Sequence, residues 1–286
     1  MLYRDFASQE ELDAQYNLTM LFPEAASSYE AFCERESKRV RSELDHHLDV
    51  PFGPTLAERV DLYPAGENAP VLVYVHGGFW YLRTSKEFGF VARGPVSAGV
   101  ATVVTNYALC PWVTIDEIVR QTRAAVAWVY ENARSFGGDP GRIHVAGHSA
   151  GGHLAAMLLT TDWEGEYGLP KDILKAATAI SGLFDLAPFP YTFLQPKLQL
   201  TWDQVLRNSP ALHLPDAAPP LLVAYGEDET DEFKRQSEEF FEKWRSHGLE
   251  GGRLVLPGKN HYDAIYGFLE AGSPLCSAVL GRIGLE

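Results

Sequence analysis

Three short stretches carry residue types that together can attack and release an acyl group. In Gly147-His148-Ser149-Ala150-Gly151 a serine stands two residues from a glycine on either side. The β-prone run 142–146 precedes it and the helix-forming run 154–159 follows, so the serine falls on a strand-turn-helix bend. Such a bend needs small neighbours. Gly147 and Gly151 let strand and helix approach closely, and the Ser149 hydroxyl projects from the tip as a nucleophile.

The second stretch, His76-Gly77-Gly78-Phe79-Trp80, follows the apolar run 71–75. Its glycines can turn the N–H groups of Gly77 and Gly78 toward one point, where with the N–H of Ala150 they form an oxyanion hole. The third, Pro257-Gly258-Lys259-Asn260-His261-Tyr262, follows the strand-like run 253–256. A serine needs a base to take its proton. Of the nine histidines, His261 alone combines a loop position, a preceding strand and a place after both serine and acid in the chain. His144 lies inside the elbow strand, His148 holds the variable elbow position, His153 sits one helical turn beyond Ser149, and His76 belongs to the glycine loop. The acid that would orient His261 belongs to Tyr225-Gly226-Glu227-Asp228-Glu229-Thr230-Asp231, after the strand 221–224. Four carboxylates compete there, and their local sequence does not choose among them.

Composition narrows the function classes. A formal net charge of -14 argues against nucleic acid or an anionic membrane as partner, since each needs a basic face. No apolar run approaches the roughly 18 residues of a membrane span. Residues 1–13 are acidic and lack the basic and apolar regions of a signal peptide. Cys33, Cys110 and Cys276 are too few and too scattered for a disulfide framework or a zinc site, so they read as packing residues, and the expected location is cytoplasmic. The expected partner is a small-molecule substrate. An oligomeric state is not legible, and a homodimer is one arrangement open to the chain.

These residues must be placed by a scaffold of alternating strands and helices. Strands are expected at 59–63, 71–75, 101–105, 142–146, 176–180, 221–224 and 253–256. Thr114 and Glu117 cap a helix whose Ile118, Ala125, Val129 and Ala133 recur at helical spacing up to Gly137-Gly138. A later helix starting near Asp231 buries Phe233, Phe240, Phe241 and Trp244 and stops at Gly248. Alternation without internal repeats predicts one α/β domain over 1–286, a doubly wound, mostly parallel sheet with helices on both faces. Residues 1–48 read as an N-terminal helical arm, with helices at 8–16 and 27–44. The proline-rich stretch 183–214 reads as a partial cap over the site. In an open parallel sheet reactive residues lie at the C-terminal strand ends, which is where all three stretches fall.

HGGFW at 76–80, GGDPGRIHVAGHSAGGHLA at 137–155, ETDEFKRQS at 229–237 and GKNH at 258–261 resemble the kynurenine formamidase (arylformamidase) group of the hormone-sensitive-lipase-like α/β hydrolases. Gln15-Tyr16-Asn17 is similar to that group as well, so the resemblance spans nearly the whole chain. It implies an α/β-hydrolase fold and a serine hydrolase without metal or cofactor. In relatives the acid stands four residues before the phenylalanine of EFxRQS, which is Glu229 here. Family members often carry aspartate at that place, so the longer Glu229 leaves Asp231 and Asp228 open.

The catalytic set expected on this resemblance is Ser149, Glu229 and His261, with Gly77, Gly78 and Ala150 as the oxyanion hole. The implied substrate is an aryl formamide such as N-formyl-kynurenine, an intermediate of tryptophan catabolism. A formyl group needs a small acyl pocket and a roomier aromatic side for the leaving group, for which Phe79, Trp80 and Tyr262 are the candidates. A short-chain carboxylesterase of broad specificity is the alternative. A non-catalytic binding module on the same fold is the alternative of another class; such modules typically lose the serine or histidine that this chain retains.

Overall fold

A computed structural model describes residues 1–285. Eight strands make one sheet: β1 (His47–Pro51), β2 (Arg59–Tyr63), β3 (Ala69–Val75), β4 (Ala101–Thr105), β5 (Gly138–His148), β6 (Leu174–Ile180), β7 (Leu221–Gly226) and β8 (Gly251–Leu256), in the order β1-β2-β4-β3-β5-β6-β7-β8. β4, β3, β5, β6, β7 and β8 run parallel, while β1 and β2 pair antiparallel at one edge. From β3 the chain first moves toward β4 and then crosses back to β5, so the strand order reverses beside β3 and β5. Crevices at such a reversal are where open α/β sheets hold their ligands.

Side-chain alternation divides the core between two faces. Val71, Val73 and Val75 of β3 join Val103 and Val145 in one cluster, and Leu72 and Tyr74 join Val104, Ala146 and Ala224 in the other. The helices Ile115–Asn132, Ala150–Leu159 and Asp231–Ser246 cover the first face. The helices Pro23–Glu43 and Pro274–Ile283 and the 3-10 turn Asp263–Leu269 cover the second. Among the described residues no single helix is long and apolar enough to cross a membrane.

The N-terminal segment reaches from one face of the sheet to the other past the C-terminal strand ends. Leu12 and Tyr16, on the helix Gln9–Tyr16, belong to the first core, whereas Tyr29, Cys33 and Val40, on Pro23–Glu43, belong to the second. Residues 183–214 are mostly packed into the first core through Leu183, Phe184, Leu186, Phe189 and Val205. Two details differ from the sequence expectation. His47 and Leu48 belong to β1 rather than to a helical arm, and Phe241 is half-buried while Phe233, Phe240 and Trp244 are buried.

Registry brings the C-terminal strand ends to one level. Val75 pairs with Gly147, His148 with Ile180, and Gly226 with Leu256. The loops after β3, β5, β6, β7 and β8 therefore open side by side.

Candidate active site

Ser149 caps the helix Ala150–Leu159 with φ 57° and ψ -119°, a conformation that costs a non-glycine residue about 1–3 kcal/mol. The turn is held by the Ser149 N–H, which donates to the Ile180 carbonyl at 2.8 Å, and by close approach of the two glycines. A Cβ on Gly151 would stand 2.7 Å from the His76 carbonyl oxygen, and one on Gly147 would collide with the Gly151 backbone. Both positions thus require glycine for space, as the motif implies.

Beside the elbow, the loop after β3 folds into a tight turn in which the N–H groups of Tyr81 and Leu82 donate to the Gly78 carbonyl at 3.1 and 2.9 Å. Gly78 adopts φ +120°, and a side chain there would strike the Leu82 carbonyl. Among the described residues, the N–H groups of Gly77, Gly78 and Ala150 donate to no other group, so all three remain available to an incoming oxyanion. His76 stiffens the turn. Its ring lies between Tyr107 and Phe88, with centroids 4.2 and 5.5 Å away, and its Nδ1–H donates to the Gly77 carbonyl at 2.7 Å. Burial pushes the His76 pKa down to about 4, so the ring is neutral near pH 7.

The loop after β7 places one carboxylate on the histidine of the loop after β8. Glu229 Oε2 lies 2.8 Å from His261 Nδ1, and both side chains are buried. The other oxygen, Oε1, accepts from the Gly226 N–H at 2.8 Å and from the Ser181 hydroxyl. A carboxylate can only accept from Nδ1–H, which leaves the Nε2 lone pair for proton transfer. The competing acids are placed elsewhere. The Asp231 side chain is 91% exposed and pairs with Lys234, while Asp228 and Glu227 are exposed. The longer Glu229 reaches His261 from the first turn after the strand.

His261 is wedged between Phe233 and His148, with ring centroids at 4.2 and 4.6 Å. Burial and the neighbouring His261 hold the His148 pKa well below its usual range. His148 therefore stays neutral beside the base. Ser149 and His261 line the same cavity, together with Gly77 and Gly78. Among the described residues no hydrogen bond joins Ser149 Oγ to His261; such contacts commonly tighten when substrate fills the site.

That cavity has a volume of about 130 Å³, and its walls include Phe79, Tyr81, Phe88, Phe193 and Tyr262. Phe79 and Tyr262 thus stand where the sequence placed them. Trp80 does not. Its side chain is fully buried behind the turn, edge-on to Phe189, with Nε1–H donating to His153 Nδ1 at 3.1 Å. Trp80, at φ 60°, packs into the first core, while Phe79, at φ 48°, faces the cavity. His153 in turn donates from Nε2 to the Asn208 carbonyl at 2.7 Å, which ties the elbow helix to the segment 183–214.

The site also contains groups to which the sequence assigned no role, Tyr16 and Asn17 of the Gln15-Tyr16-Asn17 run among them. Tyr16, Asn17, Leu18, Thr19 and Tyr29 of the N-terminal segment line the cavity, as does Arg83. Ser181 follows β6 with φ 49° and is fully buried. Its position at a C-terminal strand end beside Gly182 is the one sequence signal that marks it.

The family model described as BD-FAE matches residues 60–244. Kynurenine formamidase of Danio rerio is 30% identical, with 97% of each chain covered. The chain belongs to the kynurenine formamidase-like α/β hydrolases. Esterase LipQ of Mycobacterium tuberculosis is 30% identical over 74% of this chain and 56% of its own. A solved chain from Silicibacter sp. tm1040, provisionally described as a thioesterase, superposes with a TM-score of 0.81 at 28% identity, covering 93% of this chain and 98% of that one. The protein is accordingly a hydrolase of the α/β-hydrolase fold.

Proposed function

We propose that the chain hydrolyses an aryl formamide, N-formyl-kynurenine or a close analogue, through a formyl-enzyme on Ser149. His261 Nε2 takes the hydroxyl proton as Ser149 Oγ attacks the formyl carbon, and Glu229 holds the Nδ1–H tautomer and stabilises the imidazolium. The N–H groups of Gly77, Gly78 and Ala150 receive the oxyanion. His261 returns the proton to the departing aryl amine. Water, activated by the same base, then releases formate and restores the serine. None of these steps calls for a metal or an organic cofactor.

The observation that carries the substrate class is the size and lining of the cavity. At about 130 Å³ and walled by Phe79, Tyr81, Phe88, Phe193 and Tyr262 beside Ser149, it suits an aryl group next to a small acyl group better than a long acyl chain. Similarity over 97% of a kynurenine formamidase supports the same reading. A short-chain carboxylesterase is the second reading, favoured by the similarity to Esterase LipQ. A cytoplasmic setting is part of the proposal, supported by three buried and unpaired cysteines that suit a reducing compartment. So is action on small molecules within tryptophan breakdown.

The test is a comparison of kcat/KM for N-formyl-kynurenine and p-nitrophenyl acetate with the same preparation. The formamide is expected to be the better substrate. A value no higher than that for the ester would leave the carboxylesterase reading in its place.

A further inference from the structure

Among the residues lining the cavity, Arg83 carries the only permanent charge. We propose that Arg83 is the specificity-determining residue that receives a carboxylate on the leaving-group half of the substrate. This rests on the aryl formamide reading and adds to it the anionic class of the aryl amine.

Arg83 is built into the same turn as the oxyanion donors. It follows Leu82, whose N–H closes the turn on Gly78, and it adopts φ 76°, a left-handed conformation that an arginine occupies only at a cost. Glycine or asparagine would meet the backbone requirement more cheaply, so the conformation alone does not account for this side chain. The guanidinium is 5.4 Å from the centroid of Tyr29, another wall residue, and its side chain is 20% exposed. It is therefore shielded and oriented, and it is not a freely hydrated surface cation.

Only one of its nitrogens is committed. Nη1 donates to Glu87 Oε1 at 2.8 Å, and Glu87 is itself anchored because its Oε2 accepts the Thr84 N–H at 2.8 Å. Glu30 approaches Nη1 at 3.6 Å, but its side chain is 72% exposed, and a pair so open to water is weak. Among the described residues, Nε and Nη2 donate to no protein acceptor. Glu87 thus fixes the guanidinium and leaves donors free for the planar recognition of a carboxylate that suits arginine. Neither Glu30 nor Glu87 lines the cavity. A chain of net charge -14 offers an anion little long-range attraction, so a local cation must supply the recognition.

The test uses two matched substrate pairs: N-formyl-kynurenine with its carboxyl methyl ester, and 3-acetoxybenzoate with its methyl ester. For the wild-type chain kcat/KM is expected to favour the carboxylate in both pairs. Arg83→Gln should lower the carboxylate-to-methyl-ester ratio by about 10- to 100-fold, mainly through KM, the loss typical of a charge-assisted hydrogen bond. Arg83→Lys, which keeps the charge but loses the planar fork, should retain a ratio between those of wild type and Arg83→Gln. Because each ratio compares two substrates on one preparation, partial misfolding of a variant cancels. Ratios within twofold of wild type in Arg83→Gln, or no preference for the carboxylate in the wild-type chain, would overturn the assignment. Formamides that prove no better than acetates, with the ratio in the acetate pair still falling in Arg83→Gln, would remove the formamidase reading and leave the Arg83 assignment standing.

Discussion

Replacing Glu229 by glutamine changes one oxygen for an amide nitrogen at a site where three donors converge. Oε1 accepts from the Gly226 N–H and the Ser181 hydroxyl, and Oε2 accepts from His261 Nδ1. Glutamine must choose which side keeps its oxygen. With the oxygen toward Gly226 and Ser181, the amide NH₂ faces His261, which must then accept at Nδ1 and carry its proton on Nε2, where the base function is lost. The opposite orientation keeps the productive tautomer but sets NH₂ against the buried Gly226 N–H. An unsatisfied buried donor costs about 1–3 kcal/mol, so the unproductive orientation prevails. With the stabilising charge on the imidazolium also gone, the expected loss in kcat is on the order of 10³- to 10⁴-fold. Activity on p-nitrophenyl acetate measures this whichever natural substrate applies, and a thermal melt separates it from unfolding. Asp231→Asn, at an exposed carboxylate paired only with Lys234, should stay within about twofold of wild type, as surface changes usually do. A Glu229→Gln enzyme within tenfold of wild type, or a crippled Asp231→Asn beside an active Glu229→Gln, would refute the reasoning.

Stability should depend on pH through the buried histidines. Burial lowers His76, His144 and His153 from 6.5 to about 4, and lowers His148 well below 6.5, so the folded chain keeps them neutral while the unfolded chain protonates them below 6.5. Their contribution is fully present above pH 6.5 and is lost as pH falls toward 4, by about 2 kcal/mol per histidine between pH 6.5 and 5. Urea unfolding at pH 7.5 and pH 5 should show this fall, and His144→Leu should show it reduced by about one histidine's share; an equal fall in the variant would contradict the assignment. Gly151→Ala drives a Cβ into the Val75 carbonyl and to 2.7 Å from the His76 carbonyl oxygen, both rigid backbone, and should cost about 3 kcal/mol or more in urea unfolding while lowering turnover of every substrate alike. Wild-type stability and rate in that variant would mean that the elbow does not pack against the end of β3 and the turn that follows it.

The inner parallel strands β3, β4 and β7 were legible because they are buried and apolar on both faces, and β4 matches the expected 101–105. β1 was not legible. Its residues are largely exposed, so no hydrophobic alternation marks it, and pairing with β2 alone defines it. The serine, the glycine turn and His261 could be read because glycines and strand ends flank them. The choice of Glu229 over Asp231 needed the family pattern, since four acids share one loop and only three-dimensional reach separates them. Trp80 shows the opposite limit. Its neighbours in sequence line the cavity, but its own side chain is buried in the core against Phe189 and His153. Arg83 and Ser181 lie outside any motif, and they come to the site only through the turn after Gly78 and the registry of β6 with β5.

The central claim is that Ser149 forms a covalent acyl-enzyme. Treating the protein with a fluorophosphonate that mimics the tetrahedral intermediate, followed by mass spectrometry of its peptides, tests this most directly. One adduct per chain is expected, on Ser149, formed in step with loss of activity and absent from a folded Ser149→Ala variant that has lost turnover. An adduct on another residue with Ser149 unmodified, or a Ser149→Ala variant that still turns over substrate, would contradict it.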